Sequence, residues 1–177
     1  MNTFNTIFRT LFTLVVLSLF STLSTAQPSL ADEEQPINIS ADSLESQEQK
    51  GVSVYKGNVI ITQGSLKLKG NIITVYHPDS LLQSVRAKGQ PAYFERYNQK
   101  EQAWLTGNAN QIEYNAKYKT LLLIGDAEVA QPGKHVIKGP KLFYDLAKKT
   151  LIAKSSKTDK GRVSVTFSPA IADQKDQ

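Results

Sequence analysis

The sequence predicts an all-β domain, and three observations carry that expectation. Past residue 35 apolar residues recur with a period of two, as on a strand with one buried face. Turn-forming residues break these runs at short intervals: Lys50-Gly51, Gln63-Gly64, His77-Pro78-Asp79, Lys88-Gly89, Pro132-Gly133 and Lys160-Gly161. A unit of roughly 30 to 37 residues also recurs: Gly70 leads to Tyr76, Gly107 to Tyr114 and Gly139 to Tyr144, and Lys119-Thr120-Leu121 returns as Lys149-Thr150-Leu151. Such periods mark stacked supersecondary units that cover one another's apolar faces. Hairpins stacked this way build a twisted sandwich or an elongated roll.

The first segment stands apart from that domain. Residues 2–10 hold Arg9 and no acid, Leu11 to Leu23 is apolar apart from Ser and Thr, and Ser24-Thr25-Ala26 supplies small residues. This order reads as a secretory signal over residues 1–26, with an alternative cleavage after Ala31. The apolar run is shorter than the ~20 residues of a membrane-spanning helix. The mature chain is therefore expected to be exported and soluble, with its domain over residues 35–168. Residues 31–34 and 169–177 are small and polar and are expected to be disordered tails.

Within the domain, Ile37-Asn38-Ile39-Ser40, Val52-Ser53-Val54, Leu66-Lys67-Leu68-Lys69 and Val163-Ser164-Val165-Thr166-Phe167 each alternate as strands. Gly57-Asn58, Gly107-Asn108 and Gly125-Asp126 fall inside strand-like runs. They are expected to be bulges or bends, the usual role of glycine within a strand. Three ordinary turns are the alternative, since Gly-Asn also suits tight turns.

The formal charge is +5, about +4 once Arg9 leaves with the signal, and acids are interleaved with bases, as in Glu95-Arg96 and Lys100-Glu101. A moderate, mixed charge suits anionic partners without naming one and lacks the basic groove of a nucleic-acid binder. Cysteine is absent, which excludes disulfides, thiolate metal sites and thiol catalysis; export without cysteine fits a bacterial periplasm. His77 and His135 have no metal-ligand spacing, and neither a Gly-x-Ser-x-Gly frame nor a phosphate loop occurs. Asp42, Glu45, Glu95, Glu113, Asp126, Glu128 and Asp145 lie mostly on polar positions of alternating strands, although acids distant in sequence can pair to act on sugars. No enzyme activity, metal or cofactor is expected.

What remains is the apolar face. Ile37, Ile39, Val54, Leu66, Leu68, Phe94, Ile112, Tyr114, Leu121 and Leu123 belong to the expected inward set. A closed core accounts for many of them. A roll open along one side would instead present them as a trough for lipid chains, each buried CH₂ gaining ~0.8 kcal/mol. Lys67, Lys69, Lys138 and Lys141 would then meet anionic head groups at its rim.

Longer phrases resemble one family. Gln35-Pro-Ile-Asn-Ile-Ser-Ala-Asp42, Tyr55-Lys-Gly-Asn-Val-Ile-Ile-Thr-Gln-Gly64, Gly89-Gln-Pro-Ala-Tyr-Phe94, Gly107-Asn-Ala-Asn-Gln-Ile-Glu-Tyr114, Leu123-Ile-Gly-Asp-Ala-Glu-Val129 and Ile137-Lys-Gly-Pro-Lys-Leu-Phe-Tyr144 are similar to those of the LptA-like (OstA-like) periplasmic lipopolysaccharide-transport family, in order and spacing, from Gln35 to Phe167. The looser LptC and LptD relatives carry a membrane anchor or a large barrel, neither of which has a counterpart in this sequence.

The resemblance implies a twisted antiparallel β-jelly roll of about sixteen strands, open along one side, whose interior shields lipid A acyl chains. It implies lipopolysaccharide as ligand, head-to-tail self-association, and contacts with an LptC-like inner-membrane protein and an LptD-like outer-membrane protein. Ile37, Ile39, Phe94 and Tyr114 match family positions that face the lipid, while Ala116 stands where some relatives carry a larger apolar residue. Ile37 to Ala41 and Val163 to Phe167 are the natural edges for strand addition, and an end-to-end contact of this kind extends into a filament. The alternative is a periplasmic carbohydrate-binding or structural β-module.

Overall fold

The computed structural model describes residues 32–99, 101–131, 133–155 and 161–168, so the signal at 1–26 and the tail at 169–177 lie outside the described residues. Ten strands follow in order: β1 (Asn38–Ser40), β2 (Ser43–Gln47), β3 (Val52–Gln63), β4 (Leu66–Tyr76), β5 (Ser84–Asn98), β6 (Ala103–Asn115), β7 (Thr120–Gln131), β8 (His135–Asp145), β9 (Thr150–Lys154) and β10 (Ser164–Phe167). They form one antiparallel sheet in the order β1-β3-β4-β5-β6-β7-β8-β10, with β2 also on β3 and β9 also on β8. The fold is all-β, as expected, and the sheet stays open. The strand count differs from sixteen because β3 to β8, 11 to 15 residues each, run through their bends without ending. Counted by halves, these six would bring the total to sixteen.

The bends line up into a crease. β3 carries one extra residue against β4 at Gly57-Asn58, and β7 carries one against β6 and β8 at Gly125-Asp126. β5 carries two against both neighbours, around Gly89-Gln90-Pro91. Each is a bulge, which bends the strand that holds it. The crease divides the sheet into a β1 leaf, reaching from β1 to β10, and a β2 leaf, reaching from β2 to β9.

Two bulges are braced alike. Gly57 and Asn58 have φ of 79° and 46°, and Gly125 and Asp126 have 77° and 47°, the left-handed region that Gly and Asn or Asp tolerate best. Asn58 Nδ2 donates to Asp42 Oδ2 at 3.1 Å, and Asn110 Nδ2 donates to Asp126 Oδ2 at 3.4 Å. The amide and the carboxylate have exchanged places between the two sites. A methyl at Gly57 would collide with the Asp42 side chain, and one at Gly125 with Asn110.

Folding the sheet on its crease turns one face inward from both leaves. The β1 leaf buries Val59, Ile61, Leu68, Ala92, Phe94, Ala109, Ala127 and Val129; the β2 leaf buries Ile73, Val75, Val85, Ala87, Ile112, Leu121, Leu123 and Leu142. Each leaf thus supplies half of a shared core, so neither has a packed core alone. In β4 the inward residues run through Leu68, then skip to Ile73 and Val75, because Asn71 and Ile72 both face out at the crease. β6 does the same between Ala109 and Ile112.

Three expectations need correction. Lys88-Gly89 is not a turn: it lies inside β5, where the register shift absorbs two residues. Gly107-Asn108 is not a bend. Gly107 pairs regularly with Phe94 and Val129, and a Cβ there would press on Leu123 Cδ2 and the Glu128 carbonyl, so close packing calls for glycine. The segment before the domain is ordered: Asp32–Glu34 forms a 3₁₀ turn whose Asp32 carboxylate accepts from the Ser65 N–H at 2.8 Å and the Ser65 hydroxyl at 2.6 Å.

The crease yields a graded prediction. Gly57→Ala forces a side chain into both positive φ and the Asp42 carboxylate, and is expected to cost about 2–3 kcal/mol in urea denaturation. Gly133 has the same φ of 79° with nothing within 4 Å among the described residues, so Gly133→Ala is expected to cost only about 1 kcal/mol. Equal losses would show that the brace contributes nothing.

Candidate functional site

The two leaves do not close on each other along their free tips. A cavity of about 320 Å³ lies between them, at the lower end of the size of ligand pockets. Ile37 and residues of β1, β3, β4 and β5 line one wall, including Ile39, Ile61, Leu66, Leu68 and Phe94. The β2 leaf supplies Val75, Val85, Tyr114 and Leu121, with Leu82 from the connection after β4. Gln63 at the tip of the β3–β4 hairpin and His77 and Ser80 beyond β4 also line it. The cavity therefore spans from tip to tip, and its mouth is the gap between leaves.

A polar chain edges this mouth. His77 Nε2 and Ser53 Oγ lie 2.8 Å apart, and Ser53 Oγ and Ser46 Oγ lie 2.9 Å apart. These bonds satisfy Ser53, a serine buried in an inward slot of β3, so its hydroxyl carries no unmet desolvation cost.

Of the ten apolar residues singled out in the sequence, seven face this cavity: Ile37, Ile39, Leu66, Leu68, Phe94, Tyr114 and Leu121. Ile112 and Leu123 are both 0 % exposed and belong to the sealed part of the core. Val54 does not point inward. In β3 the inward slots around it belong to Ser53 and Tyr55, and Val54 shares the outer face with Glu45 and Thr74, its register partners. The Val-Ser-Val alternation alone places the valines inside, and no sequence signal shows that His77 and Ser46 meet the serine. Ile61, Val75, Leu82, Val85 and His77 were missed as wall residues. Val75 and Val85 carry a strand alternation, but the switch of face at the crease hides which alternate is inward.

The lysines expected at the rim sit elsewhere. Lys67 Nζ pairs with Glu95 at 2.8 Å and Lys138 Nζ with Glu128 at 2.8 Å, while Lys69 lies over the Tyr93 ring at 5.7 Å. Hydrogen bonds from Lys67 and then Tyr93 hold the Glu95 carboxyl below the usual range, and burial followed by Glu95 pushes the Tyr93 hydroxyl up to about 12. The cations at the groove are others. A second chamber, about 350 Å³, is lined by Arg96, Tyr97, Leu105, Lys119, Tyr144 and Lys149 among others, with Asp32 in its wall. Arg96 Nε donates to Asp32 Oδ2 at 3.1 Å.

The leaf tips are tied together beside this chamber. Glu101, in the turn between β5 and β6, accepts from Lys149 Nζ of the β8–β9 turn at 2.8 Å, and from Gln131 Nε2 and Lys134 Nζ. Lys149 belongs to the β2 leaf and the other three groups to the β1 leaf, so the cluster clasps the mouth. Among the described residues no group of three or more His, Asp or Glu side chains is placed to hold a metal.

The class defined here is an all-β groove protein, with apolar walls facing an opening between two leaves of one sheet. The family described as LptA/(LptD N-terminal domain) LPS transport protein matches residues 38–150. The chain is 36 % identical over 129 residues to lipopolysaccharide export system protein LptH of Pseudomonas aeruginosa, covering 72 % of each chain. It is 30 % identical over 156 residues to lipopolysaccharide export system protein LptA of Escherichia coli strain K12, covering 85 % of this chain and 82 % of that one. The crystal structure of LptH, the periplasmic LptA homologue of the Pseudomonas aeruginosa lipopolysaccharide transport device, superposes with a TM-score of 0.73 at 32 % identity, over 79 % of this chain and all of that one. The chain belongs to the LptA/LptD N-terminal domain family.

The clasp predicts a pH signature. Hydrogen bonds from Lys149, then Gln131 and Lys134, hold the Glu101 carboxyl down to about 2, against an ordinary 4.5. A carboxyl depressed on folding stabilises the fold above its ordinary value, and that contribution fades as pH falls through the folded one. The gap in Tm between the parent chain and Glu101→Gln should therefore narrow from about pH 5 toward about pH 2. A gap that stays constant over that range would show that the clasp does not titrate with Glu101.

Proposed function

We propose that this chain carries lipopolysaccharide across the periplasm by burying lipid A acyl chains in the groove between its leaves. The observation that carries the reading is the convergence of apolar side chains from both leaves on one open cavity. Family membership and similarity to the Pseudomonas and Escherichia lipopolysaccharide export system proteins support it. Burying a twelve-carbon chain would gain on the order of 10 kcal/mol before ordering costs, at ~0.8 kcal/mol per CH₂. Binding and handing on, rather than catalysis, is the role.

The reading extends to assembly. The secretory segment would deliver the chain to the periplasm. Copies would join head to tail and reach from an LptC-like inner-membrane protein to an LptD-like outer-membrane protein. Both sheet edges suit this use: β1 and β2 at one side and β9 and β10 at the other border the sheet. Such edges accept a further strand. The β10 edge is also apolar and exposed, with Phe167 75 % exposed. Binding alone gives no direction, so net flow would be driven by another component.

Two experiments test these statements. A photo-crosslinking residue at Ile37 or Tyr114 should form adducts with lipopolysaccharide in cells, and one at the outward Val54 should not; adducts at Val54 alone, or at none, would refute the groove as the carrier. Purified lipid A should also compete for those adducts where soluble glycans do not, the reverse order favouring the carbohydrate-binding module. For assembly, light scattering should show concentration-dependent oligomers that disappear when residues 163–177 are deleted. Unchanged polymerisation of the truncated chain would rule out the β10 edge as the joint.

A further inference from the structure

We propose that the second chamber is a phosphate-binding subsite for the lipid headgroup, and that Asp32 occupies it as a built-in placeholder until lipid arrives. The inference rests on the lipid-carrier reading above and adds where the polar end of the ligand goes. Ala92, Phe94 and Arg96 share the inward face of β5, because side chains two apart on a strand point the same way. Phe94 lines the apolar cavity and Arg96 lines the second chamber. At 3.2–3.4 Å per residue, the inner wall therefore changes from apolar to cationic over about 7 Å. That is the order of groups on an amphiphile with apolar chains and an anionic head.

The chamber has the charge for such a head. Arg96, Lys119 and Lys149 all line it, and Asp32 is its single acidic lining residue among the described residues. Lys149 is shared with Glu101 at 2.8 Å. The Asp32 carboxylate rests in a cradle of three donors: the Ser65 N–H, the Ser65 hydroxyl and Arg96 Nε, at 2.8, 2.6 and 3.1 Å. The Tyr97 N–H donates to Ser65 Oγ at 3.1 Å, which leaves the hydroxyl hydrogen for the carboxylate. A phosphate monoester presents the same kind of acceptor oxygens, with more charge, and guanidinium groups hold it well. Asp32 sits on a short 3₁₀ turn at the edge of the domain, with no strand pairing of its own to keep it there. Exchange of the carboxylate for a headgroup phosphate keeps the donors satisfied and requires movement only of that turn.

The test compares the full exported chain with Asp32→Asn, Arg96→Gln and Ser65→Ala, using phosphorylated and dephosphorylated lipid A as probes. Asp32→Asn keeps the cradle's shape but removes the competing charge. It should tighten binding of phosphorylated lipid A about threefold to tenfold and leave the dephosphorylated form unchanged. Arg96→Gln and Ser65→Ala should weaken the phosphorylated form by a similar factor and bring the two forms closer together. Equal binding of both forms by the parent chain, or equal effects of every variant on both, would overturn the subsite while leaving the groove intact. Failure of either form to bind at all would instead overturn the carrier reading. Inorganic phosphate is the remaining arm: if it perturbs the Arg96 side-chain NMR signal as strongly as phosphorylated lipid A does, the site belongs to free phosphate and the headgroup assignment is wrong.

Discussion

A single sheet of ten strands must here cover its own apolar face, and the crease is what allows it. Bulges at Gly57-Asn58, Gly89-Gln90-Pro91 and Gly125-Asp126 fall on β3, β5 and β7, so alternate strands carry the extra residues and the strands between them bend along. Remove the bend and each leaf exposes eight side chains that are otherwise buried. The Asp42–Asn58 and Asn110–Asp126 bonds matter for that reason. They fix left-handed residues in place where the strand must deviate, which is the costly part of a bulge.

The groove follows from the same bend. Two leaves hinged on a crease pack tightly near it, where Ile73, Ala87, Ala92, Ala109, Ile112 and Ala127 are almost wholly buried. Toward the tips they diverge, and the inward side chains run out of partners. Small residues beside the crease and larger ones farther out, such as Leu66, Phe94, Tyr114 and Leu121, are what a wedge-shaped interior needs. The apolar cavity is therefore the outer part of the core, left incomplete. The Glu101 cluster with Lys149 limits how far the tips part.

Much of this was legible in the sequence, because alternation is a local property. Leu66-Lys67-Leu68-Lys69 shows its inward face directly, and the repeat at Lys119 and Lys149 marks two turns whose lysines both have positive φ, 51° and 54°. What was hidden depends on distant partners. Ser53 faces inward because His77 and Ser46 complete its hydrogen bonds, so Val54 was assigned to the wrong face. Lys88-Gly89 reads as a turn by composition, yet it opens a bulge inside β5 whose two flanks stay paired to β4 and β6. Gly107 resembles the bulge glycines and is there for close packing against Leu123. Asp32 looked like part of a loose tail, since its partners lie 33 and 64 residues away.

The central claim is that the wedge between the leaves, and not the outer face of the sheet, holds the acyl chains. Lipid A carrying a nitroxide on an acyl chain tests it directly in a methyl-labelled chain. The account predicts strong paramagnetic broadening of the Ile37, Leu66 and Leu82 methyls, with those of Leu122 and Ile152 on the outer face of the β2 leaf left sharp. Broadening centred on Leu122 and Ile152, with the groove methyls unaffected, would contradict it.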